Sequence, residues 1–374
     1  MRESPARRPE ASHHDHLLNG FPGGYWKYKV VDHVLLVNVH FPPDAFFDEL
    51  AGRMRDLACC YPAPQHQLAE HTGQLIQQPP EQIVVGNGVS ELITALIGAS
   101  DLRVAVPTPS FNPYENAALP DRLIRFPLRP PLFELDVETF ADFVARSPVD
   151  AAVVISPDNP TARALPRDQL LHLVERLAAC QKHLILDESF VEFATEGPAA
   201  SLEPDVRNHP NLVIFKSLGK VYGVCGLRLG YMLTSDLALA EAVRRRLPDW
   251  NINTLAEYFL CNVGRYRAVF VESCAHVRRD RDHLFHALDA ISDLQVVPPD
   301  ANFVFCRLPE AWPDAGDLAD RMLSEHSILI RHCGRKTMPE GTRYLRIASR
   351  TIAENERVVG ALRAVAEAVL RERV

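Results

Sequence analysis

Short apolar runs alternate with longer helical patterns between about residues 83 and 235, and this alternation constrains the fold more than any other feature. Strands that are apolar on both faces belong to a parallel sheet covered by helices on both sides. The pattern therefore predicts an α/β fold that binds ligands beyond the carboxyl ends of its strands. The runs cover residues 83–85, 103–106, 151–155, 183–186 and 212–215.

A second region follows Pro248. There a long helical stretch leads to strand patterns at 295–297, 303–305, 328–330 and 344–347, and to a final helix over 353–373. Because 374 residues are too many for one compact core, we predict two domains. The expected division is a flexible polar arm (1–23), a segment that joins the smaller domain (24–44), a large domain (45–265) and a smaller α/β domain (266–374).

Composition excludes several classes of protein. The formal net charge of −8 lacks the basic character that binds nucleic acid. No run of about 18 apolar residues is present to form a membrane helix, and residues 1–20 lack the apolar segment of a secretory signal. The eight cysteines show no metal-binding spacing, and His13, His14 and His16 in the polar tail are more simply solvated than metal-bound. We expect reduced thiols, no metal and a cytoplasmic location.

Lys220 and Arg228 suggest a type of ligand. Lys220 ends the sequence Ser217-Leu218-Gly219-Lys220, and Arg228 follows eight residues later near two glycines. A lysine amine can hold an aldehyde covalently, and a guanidinium binds phosphate. Pyridoxal 5'-phosphate (PLP) is a cofactor that carries both groups. Alone, however, a lysine after a Ser/Gly turn is usually a solvated side chain.

The other predicted strands also end in groups that suit this cofactor. The helix that begins at Val89-Ser90 offers free N–H groups to a phosphate, and Phe111 could stack on a flat heterocycle. Asn159 could donate to a phenolate oxygen. Asp187 ends an apolar strand, where an unpaired charge is costly, and could pair with a protonated pyridine nitrogen. Singly, each also has a structural explanation as a turn, a core ring or a helix cap.

In chain order these motifs are a phosphate turn, an aromatic ring, Asn, Asp, Ser-x-x-Lys and Arg. This order resembles the fold-type I PLP enzymes of the aminotransferase class I/II superfamily, and within it the histidinol-phosphate aminotransferase-like branch. Residues 211–231 and 249–260 also resemble the PLP domain fused to nucleotidyltransferases in some phosphonate pathways. The resemblance runs from about Gly24 to the C-terminus. It implies a mainly parallel seven-stranded sheet between helices, and a smaller α/β C-terminal domain.

The resemblance also implies a role for each motif residue. Lys220 would hold the cofactor and act as the base, Asp187 would pair with the pyridine nitrogen, and Asn159 would contact the phenolic oxygen. The implied cofactor contacts are Val89, Ser90, Phe111, Asn159, Asp187, Ser217, Lys220 and Arg228.

Other residues would meet the substrate or a second subunit. Arg346 would bind the substrate carboxylate, Arg331 would be a second anion contact, and Asn38 would lie near the substrate. Tyr61 would reach the cofactor phosphate of a partner subunit, which implies a homodimer with shared sites.

Three positions depart from the pattern of the family. Phe190 stands where many relatives have Tyr, Gly219 where they have Ser or Thr, and Ala162 where Gly is usual. The first two departures remove a hydroxyl group from the cofactor site. They leave the substrate and the type of reaction open.

Three functions therefore remain. We expect transamination between a small-molecule amino donor and acceptor, with Arg346 holding the carboxylate near the ring plane so that Lys220 removes the α-proton. The alternative is decarboxylation of a phosphorylated or phosphono amino acid, as in threonine-phosphate decarboxylases, with the arginines on the phosphate. A PLP-binding sensor without turnover is disfavoured, because the residues before Gly24 are too few for a DNA-binding domain.

Overall fold

The computed structural model describes residues 17–18 and 23–372 of the chain. Its strands, in chain order, are β1 (Val31–Asp32), β2 (Ile83–Asn87), β3 (Val104–Thr108), β4 (Leu123–Pro127), β5 (Ala151–Ile155), β6 (His183–Asp187), β7 (Leu212–Ser217), β8 (Leu229–Thr234), β9 (Gln295–Val297), β10 (Phe303–Arg307), β11 (Ile328–Leu329), β12 (Arg331–His332) and β13 (Tyr344–Ala348).

The α-helices of the described residues from 23 onward surround these strands. They are α1 (Asp44–Cys59), α2 (Gln65–Ile76), α3 (Val89–Ile93), α4 (Asn112–Ala117), α5 (Val137–Arg146), α6 (Arg167–Ala179), α7 (Leu218–Val221), α8 (Leu237–Arg244), α9 (Thr254–Asn262), α10 (Arg267–Asp289), α11 (Ala315–His326) and α12 (Ile352–Glu372).

Seven strands form the central sheet in the order β2-β8-β7-β6-β5-β3-β4. All run parallel to one another except β8, which is antiparallel to both of its neighbours. Successive side chains of a strand point to opposite faces. Val153 and Phe215 therefore pack with α3 and α8 in one core, while Val154 and Ile214 pack with α5 and α6 in another. Apolar runs without alternation are thus explained by a sheet that is buried on both faces.

The C-terminal region contains a four-stranded antiparallel sheet in the order β12-β13-β10-β9. Apolar residues of α10, α11 and α12 cover it. The N-terminal segment joins this region, because β1 pairs in parallel with β11 through Val31 and Ile328. Leu17 and Leu18, within the arm that was expected to be flexible, are buried in the same cluster. The predicted domain limits themselves stay a prediction.

The fold class predicted from the sequence is confirmed. The five apolar runs correspond to β2, β3, β5, β6 and β7. Two strands of the central sheet were missed: β4 is an edge strand of mostly half-buried and exposed residues, and β8 begins within the glycine motif that was interpreted only as a phosphate site. The predicted strand over 328–330 is divided into β11 and β12, which belong to different sheets.

Two further sequence expectations concern the chain as a whole. Within the described residues, no helix has the length and apolar character needed to cross a membrane. All eight cysteines are free thiols, as expected. His13, His14 and His16 lie outside the described residues.

Candidate active site

The residues predicted to bind the cofactor meet at the carboxyl edge of the central sheet. Asp187 ends β6, Ser217 ends β7, and Lys220 follows within α7. Val89 begins α3 directly after β2, and Asn159 follows β5. Since these four strands run in one direction, their ends open on the same edge and bring residues that are distant in sequence into one cleft.

Two glycines and the guanidinium of Arg228 meet where α3 begins. Gly88 has a φ of 75°, and a Cβ on it would lie 2.5 Å from Nη2 of Arg228. A Cβ on Gly230 would lie 2.9 Å from the backbone nitrogen of Val89. The two glycines therefore leave the helix start and the guanidinium uncovered and close together. Backbone N–H groups and a guanidinium are donors that hold a phosphate.

Asp187 is a buried carboxylate held by two donors. Its Oδ2 accepts a hydrogen bond from the hydroxyl of Tyr114 at 2.9 Å, and its Oδ1 accepts one from the backbone N–H of Ser189 at 2.9 Å. Burial, together with the charge of Asp187, raises the pKa of Tyr114 well above its usual value, so Tyr114 remains a donor. These hydrogen bonds fix the orientation of the carboxylate. A carboxylate that is buried and held in this way can accept a hydrogen bond from a ring N–H.

Lys220 has the environment of a reactive amine. Its Nζ lies 4.2 Å from the ring centroid of Phe190 and 5.2 Å from that of Phe111. Burial lowers the pKa of Lys220, and the positive charge of Arg346 acts in the same direction, although Asp187 opposes them. A lowered pKa increases the fraction of uncharged amine, which is the nucleophilic and basic form.

Lys216 lies four residues earlier, in β7, and its amine has the opposite character. Its Nζ lies 3.0 Å from a carboxylate oxygen of Glu192 and 3.3 Å from one of Glu203, with Glu188 at 3.9 Å. Burial acts to lower the pKa of Lys216, but the three carboxylates outweigh it and raise the pKa. Of these two buried lysines, Lys220 therefore has the amine that suits covalent chemistry.

The three departures from the family pattern have visible local consequences. Ala162 adopts a φ of 64°, which glycine would adopt without strain. A Cβ on Gly219 would lie 3.2 Å from Cα of Cys225, so a serine there would press on the backbone. Phe190 is buried, and its ring meets Phe303 edge-to-face at 5.3 Å.

The substrate side of the cleft brings two arginines together. Arg331 on β12 and Arg346 on β13 are direct partners in the antiparallel register. Nη1 of Arg346 donates to Oδ1 of Asn159 at 2.9 Å and Nη2 to the carbonyl of Val34 at 2.7 Å, whereas Nη1 of Arg331 donates to the carbonyl of Leu18 at 3.2 Å. Burial, aided by Arg331, lowers the pKa of Arg346 to about 10. Like charges opposite each other on neighbouring strands are destabilising, so this arrangement favours an anion.

Asn38, expected near the substrate, uses its side chain within the protein. Its Nδ2 donates to the carbonyl of Val221 at 3.0 Å and to Oγ of Ser273 at 2.9 Å, and its Oδ1 accepts from the backbone of His40. Its backbone N–H also donates to the carbonyl of Lys220 at 2.9 Å. The hydrogen bonds of Asn38 therefore connect the N-terminal segment to α7.

Tyr61, expected to reach a partner subunit, lies on the surface. Its side chain is 80 % exposed, and its ring centroid lies 4.7 Å from that of Trp250. Trp250 is also exposed and has a φ of 52°, an uncommon conformation for a bulky residue. The pair forms an exposed aromatic surface at the end of α1.

Sequence reasoning missed three residues of the cleft. Tyr114 and Ser189 hold Asp187, and Lys336 lies beside Ser110, to whose carbonyl its Nζ donates at 2.5 Å. Lys336 gave one signal, since it is a basic residue in the loop after Arg331. Tyr114 gave none that distinguishes it from a core aromatic residue.

Comparison with known proteins identifies the family. The model of the family described as aminotransferase class I and II matches residues 49–362. This chain belongs to that family. PLP is its cofactor, and the chain is a PLP-dependent enzyme. The uncovered donors around Gly88 fit the phosphate, and the buried Asp187 and Lys220 fit the ring nitrogen and the aldehyde.

Several members of the family are similar over most of this chain. The CMP-5'-(3-aminopropyl)phosphonate synthase of Streptomyces rubellomurinus is 42% identical over 97% of the chain, but the chain spans only 56% of that protein. The L-serine phosphate decarboxylase of Sulfurospirillum multivorans is 32% identical over 82% of the chain and 79% of its own length. The crystal structure of the histidinol-phosphate aminotransferase of Clostridium acetobutylicum has a TM-score of 0.81 at 25% identity, covering 91% of this chain and all of that one.

Proposed function

We propose that this family member is a PLP-dependent decarboxylase of an amino acid that carries a phosphate or phosphonate group. The observation that carries the proposal is the pairing of Arg331 with Arg346 across two neighbouring strands. One α-carboxylate does not need two guanidinium groups, whereas a phosphorus group with a charge of about −1.5 to −2 does. Relatives named as a serine phosphate decarboxylase and a phosphonate synthase support this substrate class.

The cofactor would be held by residues of the large-sheet edge. Arg228, Ser217 and the N–H groups of Val89 and Ser90 would bind its phosphate, with Phe111 stacked on the ring and Asn159 at the phenolic oxygen. Bound PLP supplies an aldehyde that links to amines and a cationic ring that withdraws electrons from Cα of the substrate. Asp187 would keep that ring protonated, because its carboxylate is buried and already oriented by Tyr114.

The choice of bond follows from where the substrate is anchored. Arg331 and Arg346 would hold the phosphorus group, which would leave the α-carboxylate without an anchor of its own. Loss of that carboxylate as carbon dioxide would leave the bonding electrons at Cα. Nζ of Lys220 would donate a proton there, so that the product would be a primary amine.

Product analysis tests the reaction type. Purified PLP-loaded enzyme is incubated with O-phospho-L-threonine, O-phospho-L-serine and L-2-amino-4-phosphonobutyrate, and carbon dioxide, primary amine and keto acid are measured. Equal amounts of carbon dioxide and amine are expected from at least one of these substrates. Keto acid without carbon dioxide would contradict decarboxylation.

Transamination is the second candidate, and one contact favours it. Arg346 donates to Asn159, the residue expected at the phenolic oxygen, so its guanidinium lies where it could hold an α-carboxylate near the ring plane. The C–H bond at Cα would then be the one that breaks, with Lys220 taking the proton. Formation of keto acid from the amino donor in the same assay would select this candidate.

We also propose a homodimer located in the cytoplasm. The exposed pair of Tyr61 and Trp250 supports a second subunit whose cofactor phosphate Tyr61 would reach. Light scattering of the PLP-loaded protein tests the dimer, and Tyr61→Phe is expected to weaken cofactor affinity without altering the mass. A monomer that retains full activity would contradict shared sites.

A further inference from the structure

We infer that Lys336 is a specificity-determining residue that binds an oxyanion of the phosphate or phosphonate group at the far end of the substrate. The inference rests on the proposed function, because it names the residue that would recognise the phosphorus group. Lys336 lies in the loop between β12 and β13, which carry Arg331 and Arg346. The bond from its Nζ to the carbonyl of Ser110 holds the amine beside Phe111, the ring expected over the cofactor.

The charges around Lys336 are mostly positive. Burial lowers its pKa to about 8, and the charges of Arg346 and Arg331 act in the same direction. Asp158 and Cys333 act in the opposite direction. Burial raises the pKa of both groups, so the Cys333 thiol stays uncharged. Three cations and one carboxyl group therefore lie in this region, which is more positive charge than a monocarboxylate would balance.

Some N–H groups of Lys336 and Arg346 have no hydrogen-bond acceptor among the described residues. An ammonium group has three N–H donors, and the bond to Ser110 uses one of them. Nε of Arg346 is buried and has no hydrogen-bond partner among the described residues. A buried donor without a partner costs free energy that a ligand oxygen can recover. A tetrahedral oxyanion has enough acceptor oxygens to serve both groups.

A cavity of about 1070 Å³ lies next to this cluster. Ser110 and Asp158 form part of its wall, together with the segment from Leu128 to Asp136, whereas Lys336 and the two arginines do not line it. Two sources of the oxyanion follow: a free phosphorus group, or one whose substituent extends past Ser110 and Asp158 into this cavity.

Binding measurements on the PLP-loaded enzyme test the inference. Dissociation constants are obtained from the change in cofactor absorbance on mixing, so they do not depend on which bond breaks later. The probes are L-2-amino-4-phosphonobutyrate and L-2-aminobutyrate, which lacks the phosphonate. The variants are Lys336→Gln, which keeps a donor for Ser110 but removes the charge, Lys336→Arg, which keeps the charge, and Lys29→Gln, an exposed control.

Lys336→Gln should weaken the phosphonate probe by about tenfold, which corresponds to about 1.4 kcal/mol, and change the affinity for aminobutyrate less than about twofold. Lys336→Arg and Lys29→Gln should stay near the wild-type values. Equal losses for both probes would overturn the inference. Because binding is measured directly, failure to release carbon dioxide would count against the decarboxylase and not against Lys336.

A third probe identifies the source of the oxyanion. In the CMP derivative of the phosphono amino acid, an anhydride oxygen joins the phosphonate to CMP, so the phosphonate keeps two unbridged oxygens and carries a substituent that the cavity could hold. A penalty in Lys336→Gln for the CMP derivative supports a substituted phosphorus group, and a penalty for the free probe alone supports a free phosphorus group. Absence of a penalty for both phosphorus probes overturns the inference.

Discussion

The cofactor half and the substrate half of the cleft balance their charges differently. At the edge of the central sheet, the carboxylate of Asp187 is held by Tyr114 and Ser189, and Lys216 is surrounded by glutamates. At the antiparallel sheet, Arg331 faces Arg346, and Lys336 adds a third positive charge nearby. In the first half, both charged groups therefore already have hydrogen-bond or ion-pair partners within the protein. In the second half, like charges face each other on neighbouring strands, and we propose that an anionic group of the substrate balances them.

Lys220→Ala should have the largest effect, and it tests the cofactor half. Loss of the amine removes the covalent link to the aldehyde and the group that moves the proton at Cα, so turnover should fall by about 10³-fold or more. Mass spectrometry after borohydride reduction should show no covalently attached cofactor, while circular dichroism stays unchanged. Covalent attachment in this variant would mean that another lysine does the chemistry.

Asp187→Asn should have the next largest effect. The amide keeps the shape but removes the charge, so turnover should fall by about 10²-fold. The pKa of Lys220 should fall further, because Asp187 is the strongest of the groups that raise it. The matched variant Tyr114→Phe removes one hydrogen bond and leaves the charge, so its loss should be far smaller. Similar losses in both variants would show that orientation, not charge, is what matters.

Gly88→Ala tests the proposed phosphate site at the start of α3. The new Cβ would meet Nη2 of Arg228 at 2.5 Å, and the backbone φ of 75° is strained for alanine. Displacement of the guanidinium should raise the dissociation constant of PLP by about tenfold. Gly226→Ala is the control, because a Cβ there meets nothing within 4 Å. Fluorescence titration of PLP measures both, and equal affinities would place the phosphate elsewhere.

Arg331→Gln should move binding and stability in opposite directions. It removes one of two facing charges, so the ligand-free protein should gain about 0.5 kcal/mol of unfolding free energy. Affinity for a phosphono amino acid should fall by about tenfold, since a charge-assisted contact is lost. Arg53→Gln on the exposed face of α1 is the control. A variant that loses stability would show that the strands do not carry the proposed repulsion.

The pH dependence of stability should give the smallest effect. The folded pKa of Lys336 is about 8, below its ordinary value of 10.5, with Arg331, Arg346, Asp158 and Cys333 facing it. Between those values the unfolded chain binds more protons, so the contribution of Lys336 to stability rises as the pH increases through this window. Urea unfolding of the ligand-free protein at pH 7, 8 and 9 should show a smaller rise in Lys336→Gln than in the wild type. An equal rise in both would contradict the lowered pKa.

Much of the cofactor half could be predicted from the sequence. Asn159, Asp187 and Lys220 follow apolar runs, and parallel strands bring the ends of such runs together. Arg228 precedes the antiparallel strand β8, which the sequence analysis missed, so its place beside them is a finding of the structure. Tyr114 could not be predicted, because a tyrosine of a short helix has no local signal that it reaches a carboxylate in another strand. The structural role of Asn38 could not be predicted either, because it depends on hydrogen bonds to Val221 and Ser273, which are distant in sequence.

Local patterns of apolar residues and turns were enough to predict the α/β fold class, because they depend on short-range order along the chain. The order of the motifs carried the resemblance that implied the family and the cofactor. The register that sets Arg331 against Arg346, the contact of Lys336 with Ser110 and the contrast between Lys216 and Lys220 came only from the folded molecule. These features join residues that lie far apart in the chain, or depend on burial. The energy of a charged group depends on the residues that surround it in space, and a local sequence pattern does not show which residues these are.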